Sequence, residues 1–181
     1  MVLSISPKVW VTWLDRHPAS YGWISGVWLV ILCALAFWLG LGDLGLMDKT
    51  EALFVEVTHQ MVLTGDWITP RWNGEVFFDY PVWGYWMVAL SFKLFGFHEW
   101  AARLPSSLAA IAVVIAVFFL LRFGGNCFGE KSVNPHQAWL RGWMGAGIMA
   151  LNPGWLGWGR IAVTDMYLSS EIALSLISFF W

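Results

Sequence analysis

The chain alternates long apolar runs with one polar stretch, and the runs are of membrane length. Tyr21 to Gly42 is 22 residues without a charged side chain; that is enough to cross ~30 Å of hydrocarbon at about 1.5 Å per residue. No Ala-x-Ala-like site follows it, so it reads as a span rather than a signal peptide. Leu104 to Leu121 is a second run of 18 residues between Arg103 and Arg122. Gly142 to Gly159 is a third of 18 between Arg141 and Arg160. Asn152-Pro153 inside it predicts a kink or an early helix end. Met166 to Trp181 begins a fourth and carries Glu171. Ile172 to Trp181 is too short to cross, which points to an N-terminal fragment of a longer polytopic protein. The pattern predicts an all-α membrane helix bundle, one domain over 1–181, with spans near 21–42, 104–121, 142–159 and 166–181.

The polar stretch, 43–103, predicts a large first outer loop with its own helices. Thr50 is placed to cap a helix starting at Glu51. Leu53, Phe54, Val57 and Met61 recur at helical spacing, with Glu56, His59 and Gln60 on the other side. Gly65 is a natural stop. This reads as an amphipathic helix along the membrane interface. Asp66 to Asp79 is turn-rich, with Asn73-Gly74 as a tight turn. Val82–Phe95 reads as a second interfacial or re-entrant helix. A tilted full span is the alternative there, and it would put Asp48 and Asp165 on opposite faces.

Composition agrees with a membrane protein. At 59% hydrophobic and 12% charged, the chain is far from the usual soluble balance of about 25% charged. Fifteen Trp suit surfaces at lipid–water boundaries. The net charge of −2 gives no basic footprint, so nucleic acid is excluded as an expected partner. Cys33 lies mid-span and Cys127 in a loop, which argues against a disulfide, and neither has metal-ligand spacing. Basic residues before Tyr21 and between Arg122 and Arg141 favour the cytoplasmic side. With two crossings between them, Asp48 and Asp165 then share the outer face.

The segments GLMDKTEALFVEVTHQM, TGDWITPRWNGEVFFDYPVWGYW, FGFHEWAARLPSSLAA and GRIAVTDMYLSS run from Gly45 to Ser170. Together they resemble the lipid-linked sugar transferases of the GT-C class, closest to the bacterial aminoarabinose transferase and protein O-mannosyltransferase group. The resemblance implies a multi-pass protein of the bacterial inner membrane. Its donor would be a polyprenyl-phosphate-linked sugar and its acceptor a lipid or protein hydroxyl, with membrane lipids around it. A carboxylate of the outer loop would take the hydroxyl proton, and basic side chains would stabilise the departing phosphate.

Residue by residue, the resemblance implies Asp48 as base, with Glu51 second and Asp165 as the second outer-loop acid. The family usually has an Asp directly before the Glu, where Thr50 stands. An Arg is common where Leu53 stands, and a Lys where Tyr80 stands. Donor and phosphate contacts would come from Arg71, Tyr80, Arg103 and Arg160. Asp79 matches an acidic position and is the candidate ligand for a divalent metal. Against these functional roles, Asp48 can simply end the first span, Glu51 can favour a helix N-terminus, Asp79 can be a turn residue, and the arginines can be interface anchors. Two other function classes remain: a non-catalytic membrane subunit or decayed homologue, and a transporter segment, which would carry its acids inside the spans.

Overall fold

The computed structural model describes residues 18–46, 48–124 and 135–180. Helix α1 is Pro18–Cys33 and runs on into a π-helical turn, Ala34–Trp38. There Leu39 N–H donates to Ala34 O at 2.9 Å, a bond five residues back. Helix α2 is Lys49–Thr64, α3 is Val82–Phe95 and α4 is Glu99–Phe123; α5 is Pro135–Leu151, α6 is Pro153–Trp158 and α7 is Thr164–Phe179. A two-stranded hairpin, β1 Arg71–Trp72 and β2 Glu75–Val76, sits between α2 and α3. Its register pairs Arg71 with Val76 and Trp72 with Glu75. Asn73 (φ 52) and Gly74 (φ 84) are both left-handed, the turn that Asn-Gly supports best.

Two helices are long and apolar enough to cross a membrane among the described residues: Ser20–Trp38, of 19 residues, and Glu99–Phe123, of 25. The other two expected spans differ from expectation. The third run does not hold one helix over 142–159. Its helix starts earlier, at Pro135, and ends at Leu151 after 17 residues. Asn152 then opens α6 by accepting from Trp155 N–H at 3.1 Å, so the Asn-Pro pair ends one helix and starts the next. The fourth, α7, is 16 residues. Helices of that length reach about 25 Å, short of ~30 Å. Cys127 and most of the expected cytoplasmic loop lie outside the described residues.

Helix α4 is central and packs on α5, α7 and α3. Pro105 lies inside it and has no N–H for the Ala101 carbonyl one turn back. Ser91 Oγ on α3 donates to that carbonyl at 2.5 Å, so the helix continues through the proline. Two apolar cores flank α4. One gathers Phe37, Val114, Phe118, Ala146 and Met166 between α1, α5 and α7. The other gathers Phe54, Val57, Met61, Tyr85, Val88 and Tyr167 between α2, α3 and α7. The α2 residues of this second core are the apolar face expected from the sequence, and Gly65 (φ 75) ends the helix as expected. At Gly159 the backbone of the α6–α7 connection packs closely on side chains of the π-helical turn and of α4. A Cβ on Gly159 would lie 2.8 Å from Phe37 and 2.9 Å from Ala110.

Candidate functional site

The first turn of α2 needs partners for its free backbone N–H groups. Asp48, not Thr50, supplies them. Its Oδ1 accepts from Thr50 N at 2.7 Å and from Glu51 N at 3.3 Å. These two bonds hold the Asp48 carboxyl below the usual carboxylate range, the Thr50 amide having the larger effect. Asp48 is exposed.

Glu51, one turn on, points inward and is 1% exposed. Arg103, in the first part of α4, meets it in a fork: Nε to Oε1 at 2.8 Å and Nη2 to Oε2 at 2.9 Å. The same guanidinium donates to three carbonyls of the loop after α1: Leu41 at 2.9 Å, Leu44 at 2.7 Å and Gly45 at 3.0 Å. A guanidinium has five N–H donors, so all of Arg103's are engaged within the protein. Glu51 Oε1 also accepts from Ala162 N–H at 2.9 Å. One buried ion pair therefore joins the α1–α2 loop, α2, α4 and the chain entering α7.

Asp48 is one helical turn from Glu51, and Asp165 is three residues past Ala162. The bridge therefore brings both aspartates to the same end of the bundle. Arg160 is held at this end too. Its Nη1 donates to Ala36 O at 2.8 Å and its Nη2 to Leu39 O at 2.6 Å. A cation is favoured at these carbonyls, which end the first helix. Arg71 lies apart on the exposed hairpin, with Nη1 3.4 Å from Gly74 O.

A cavity of ≈580 Å3 opens beside the start of α7, lined by Tyr80, Trp83, Thr164, Asp165, Tyr167 and Glu171 among others. Among the described residues no arginine, lysine or histidine lines it. Trp83, Tyr167 and Glu171 also line an apolar groove of ≈360 Å3 between α3, α4 and α7, which includes Leu90, Leu108 and Leu174. The groove and cavity thus share a seam at Glu171. Of the residues singled out from the sequence, Tyr80 and Asp165 line the cavity, whereas Asp48, Glu51, Arg71, Arg103 and Arg160 do not. Asp79 is exposed beside Tyr80. Among the described residues no three His, Cys, Asp or Glu side chains converge as a metal site. Glu171 had no role assigned from the sequence. Its signal there was a carboxylate inside an apolar run.

The profile of the dolichyl-phosphate-mannose-protein mannosyltransferase family matches residues 79–180. An undecaprenyl phosphate-alpha-4-amino-4-deoxy-L-arabinose arabinosyl transferase of Shewanella sediminis is 30% identical over 127 residues, 70% of this chain and 21% of that protein. A similar transferase of Pseudomonas fluorescens, numbered 1, is 34% identical over 94 residues, 52% of this chain and 17% of that protein. The crystal structure of ArnT from Cupriavidus metallidurans bound to undecaprenyl phosphate matches with a TM-score of 0.66 at 24% identity, covering 88% of this chain and 27% of that one. At that identity the likeness is one of fold. The chain spans about a fifth of the length of these two sequence relatives.

Proposed function

The chain belongs to the dolichyl-phosphate-mannose-protein mannosyltransferase family, and we propose that it forms part of a membrane glycosyltransferase working at the end of the bundle that carries Asp165. The donor is a sugar on a polyprenyl phosphate, the acceptor a lipid or protein hydroxyl, and the end in question faces the outer side. The apolar groove takes the lipid chain and the adjoining cavity takes the head of the amphiphile. The observation that carries this is the continuity of groove and cavity at Glu171, the cavity being lined by Asp165 as well. An isoprenoid chain needs an apolar trough, and its reacting head needs polar groups at the end of that trough.

Glycosyl transfer needs a base for the acceptor hydroxyl as it attacks the anomeric carbon. The sequence favoured Asp48. The geometry favours Asp165, which lines the cavity, whereas Asp48 spends Oδ1 on the helix cap. Glu51 has both oxygens engaged by Arg103 and Ala162, which leaves it poorly placed to accept a substrate proton. The leaving phosphate gathers negative charge and needs donors. Of Arg71, Arg103 and Arg160, Arg103 has no N–H left, whereas Arg160 uses two of its five N–H groups on carbonyls and Arg71 one on Gly74 O; these two keep donors but would have to reach the phosphate from outside the cavity lining. Tyr80 can give one hydrogen bond from within the cavity.

A second function, lipid binding without catalysis, is favoured by one observation: among the described residues no basic side chain lines the cavity. Undecaprenyl phosphate binding tests the site under either function. Native mass spectrometry of the detergent-solubilised full chain should show a one-to-one adduct. Leu108→Trp, which fills the groove, should remove it without changing expression. Undiminished binding by that variant would move the lipid elsewhere. Turnover then separates the two functions.

A further inference from the structure

Glu51 carries one contact that an ion pair alone does not require. Its Oε1 accepts from Arg103 Nε at 2.8 Å and from Ala162 N–H at 2.9 Å. Ala162 is fully buried, and its N–H is three residues ahead of Asp165. Arg103 in turn anchors the carboxylate to the loop at Leu41, Leu44 and Gly45. The carboxylate is therefore fixed on one side to the α1–α2 loop and on the other to the peptide that sets where α7 begins. It is too deeply buried to touch a substrate.

We infer that Glu51 is a positioning residue: by holding Ala162 N–H while clamped by Arg103, it sets the place of Asp165 at the cavity. This rests on Asp165 being the reacting carboxylate. The reach of the side chain does the positioning, because both bonds require the full length of glutamate. Aspartate keeps the charge but is shorter by one carbon–carbon bond, about 1.5 Å. It can stay paired with Arg103 only by withdrawing from Ala162. Glutamine keeps the length and an amide oxygen for Ala162 N–H, but loses the charge.

The two variants give opposite signatures in amide hydrogen exchange of the full chain in detergent. In Glu51→Asp, the amide of Ala162 should exchange about tenfold faster, as expected for one lost bond to a charged acceptor, while the amides of α2 stay protected. In Glu51→Gln it should stay slow. Turnover should split the same way: Glu51→Asp loses about a hundredfold in kcat with KM nearly unchanged, the cost of a reacting group misplaced by about 1 Å. Equal exchange at Ala162 in both variants, fast or slow, would overturn the inference. If Glu51→Asp does not fold, fast exchange in Glu51→Gln alone overturns it, since that variant keeps the acceptor. The exchange readout is independent of whether Asp165 is the base. An Asp165→Asn variant that keeps full turnover removes that assignment and leaves the exchange result standing.

Discussion

Removing Arg103 should be the most destabilising single change at this end of the bundle. Arg103→Met keeps the apolar stem of the side chain, to about the position of Nε, and deletes the guanidinium. Two bonds to Glu51 and three to loop carbonyls disappear together. Glu51, 1% exposed, is left with only Ala162 N–H. Breaking a buried pair from one side costs about 3–5 kcal/mol, because the stranded charge stays desolvated. Adding Glu51→Leu removes that charge. Of the three freed carbonyls, those of Leu44 and Gly45 belong to exposed residues and can turn to water, whereas Leu41 is buried. The double variant orphans two buried groups, the Leu41 carbonyl and the Ala162 N–H, at about 1–3 kcal/mol each, so it should cost about as much as Arg103→Met alone rather than the sum of the two single changes. Thermal unfolding of the full chain in detergent measures the difference. At about 2–4 °C per kcal/mol, Arg103→Met should melt roughly 6–20 °C lower, with the double variant melting about as low and well above the sum of the two single losses. A double variant as destabilised as the two single changes added together would refute the picture of a mutually dependent buried pair.

Two further outcomes follow from local geometry. A Cβ at Gly84 would stand 2.7 Å from Thr164 Cγ2 and 3.2 Å from Phe54 Cζ, so Gly84→Val should cost about 1–3 kcal/mol by overpacking, and unchanged melting would contradict the close approach of α3 and α7. Asp48 and Asp66 are each held below the ordinary 3.8 by backbone N–H groups, chiefly those of Thr50 and of Thr69 respectively. A carboxyl depressed in the folded state stabilises it above the unfolded pKa, and that contribution is lost as pH falls through the folded value. Circular dichroism on acid titration should show the start of α2 holding to about pH 4 and loosening only below it. Loosening between about pH 5 and 7 would point to other groups.

Much of the fold could be seen in the sequence because its signals are local. The apolar face of α2, its stop at Gly65, the limits of α3 at Val82–Phe95 and the break at Asn152-Pro153 each depend on residues a few positions apart. The cap was misplaced from Asp48 to Thr50 because both residue types cap well, and the position of the first turn decides between them. Helix α4 begins at Glu99, ahead of the expected Leu104, because the gap that Pro105 leaves is filled by Ser91 from another helix. The pairing of Glu51 with Arg103 spans 52 positions, and the site's shape depends on that pairing. No local pattern carries it. The same holds for Glu171, whose place at the seam depends on how α3, α4 and α7 pack.

The central claim is that Asp165, facing the cavity, takes the acceptor proton. Transfer from undecaprenyl phosphate-linked 4-amino-4-deoxy-L-arabinose, the donor named for the sequence relatives, measures it most directly, using the full-length protein in lipid nanodiscs with a lipid acceptor. Asp165→Asn should lower turnover by about 10²–10⁴-fold, the usual contribution of a positioned base, while Asp48→Asn, which keeps a capping oxygen, should retain most of it. Full turnover in Asp165→Asn with loss in Asp48→Asn would contradict the claim and return the base to the start of α2.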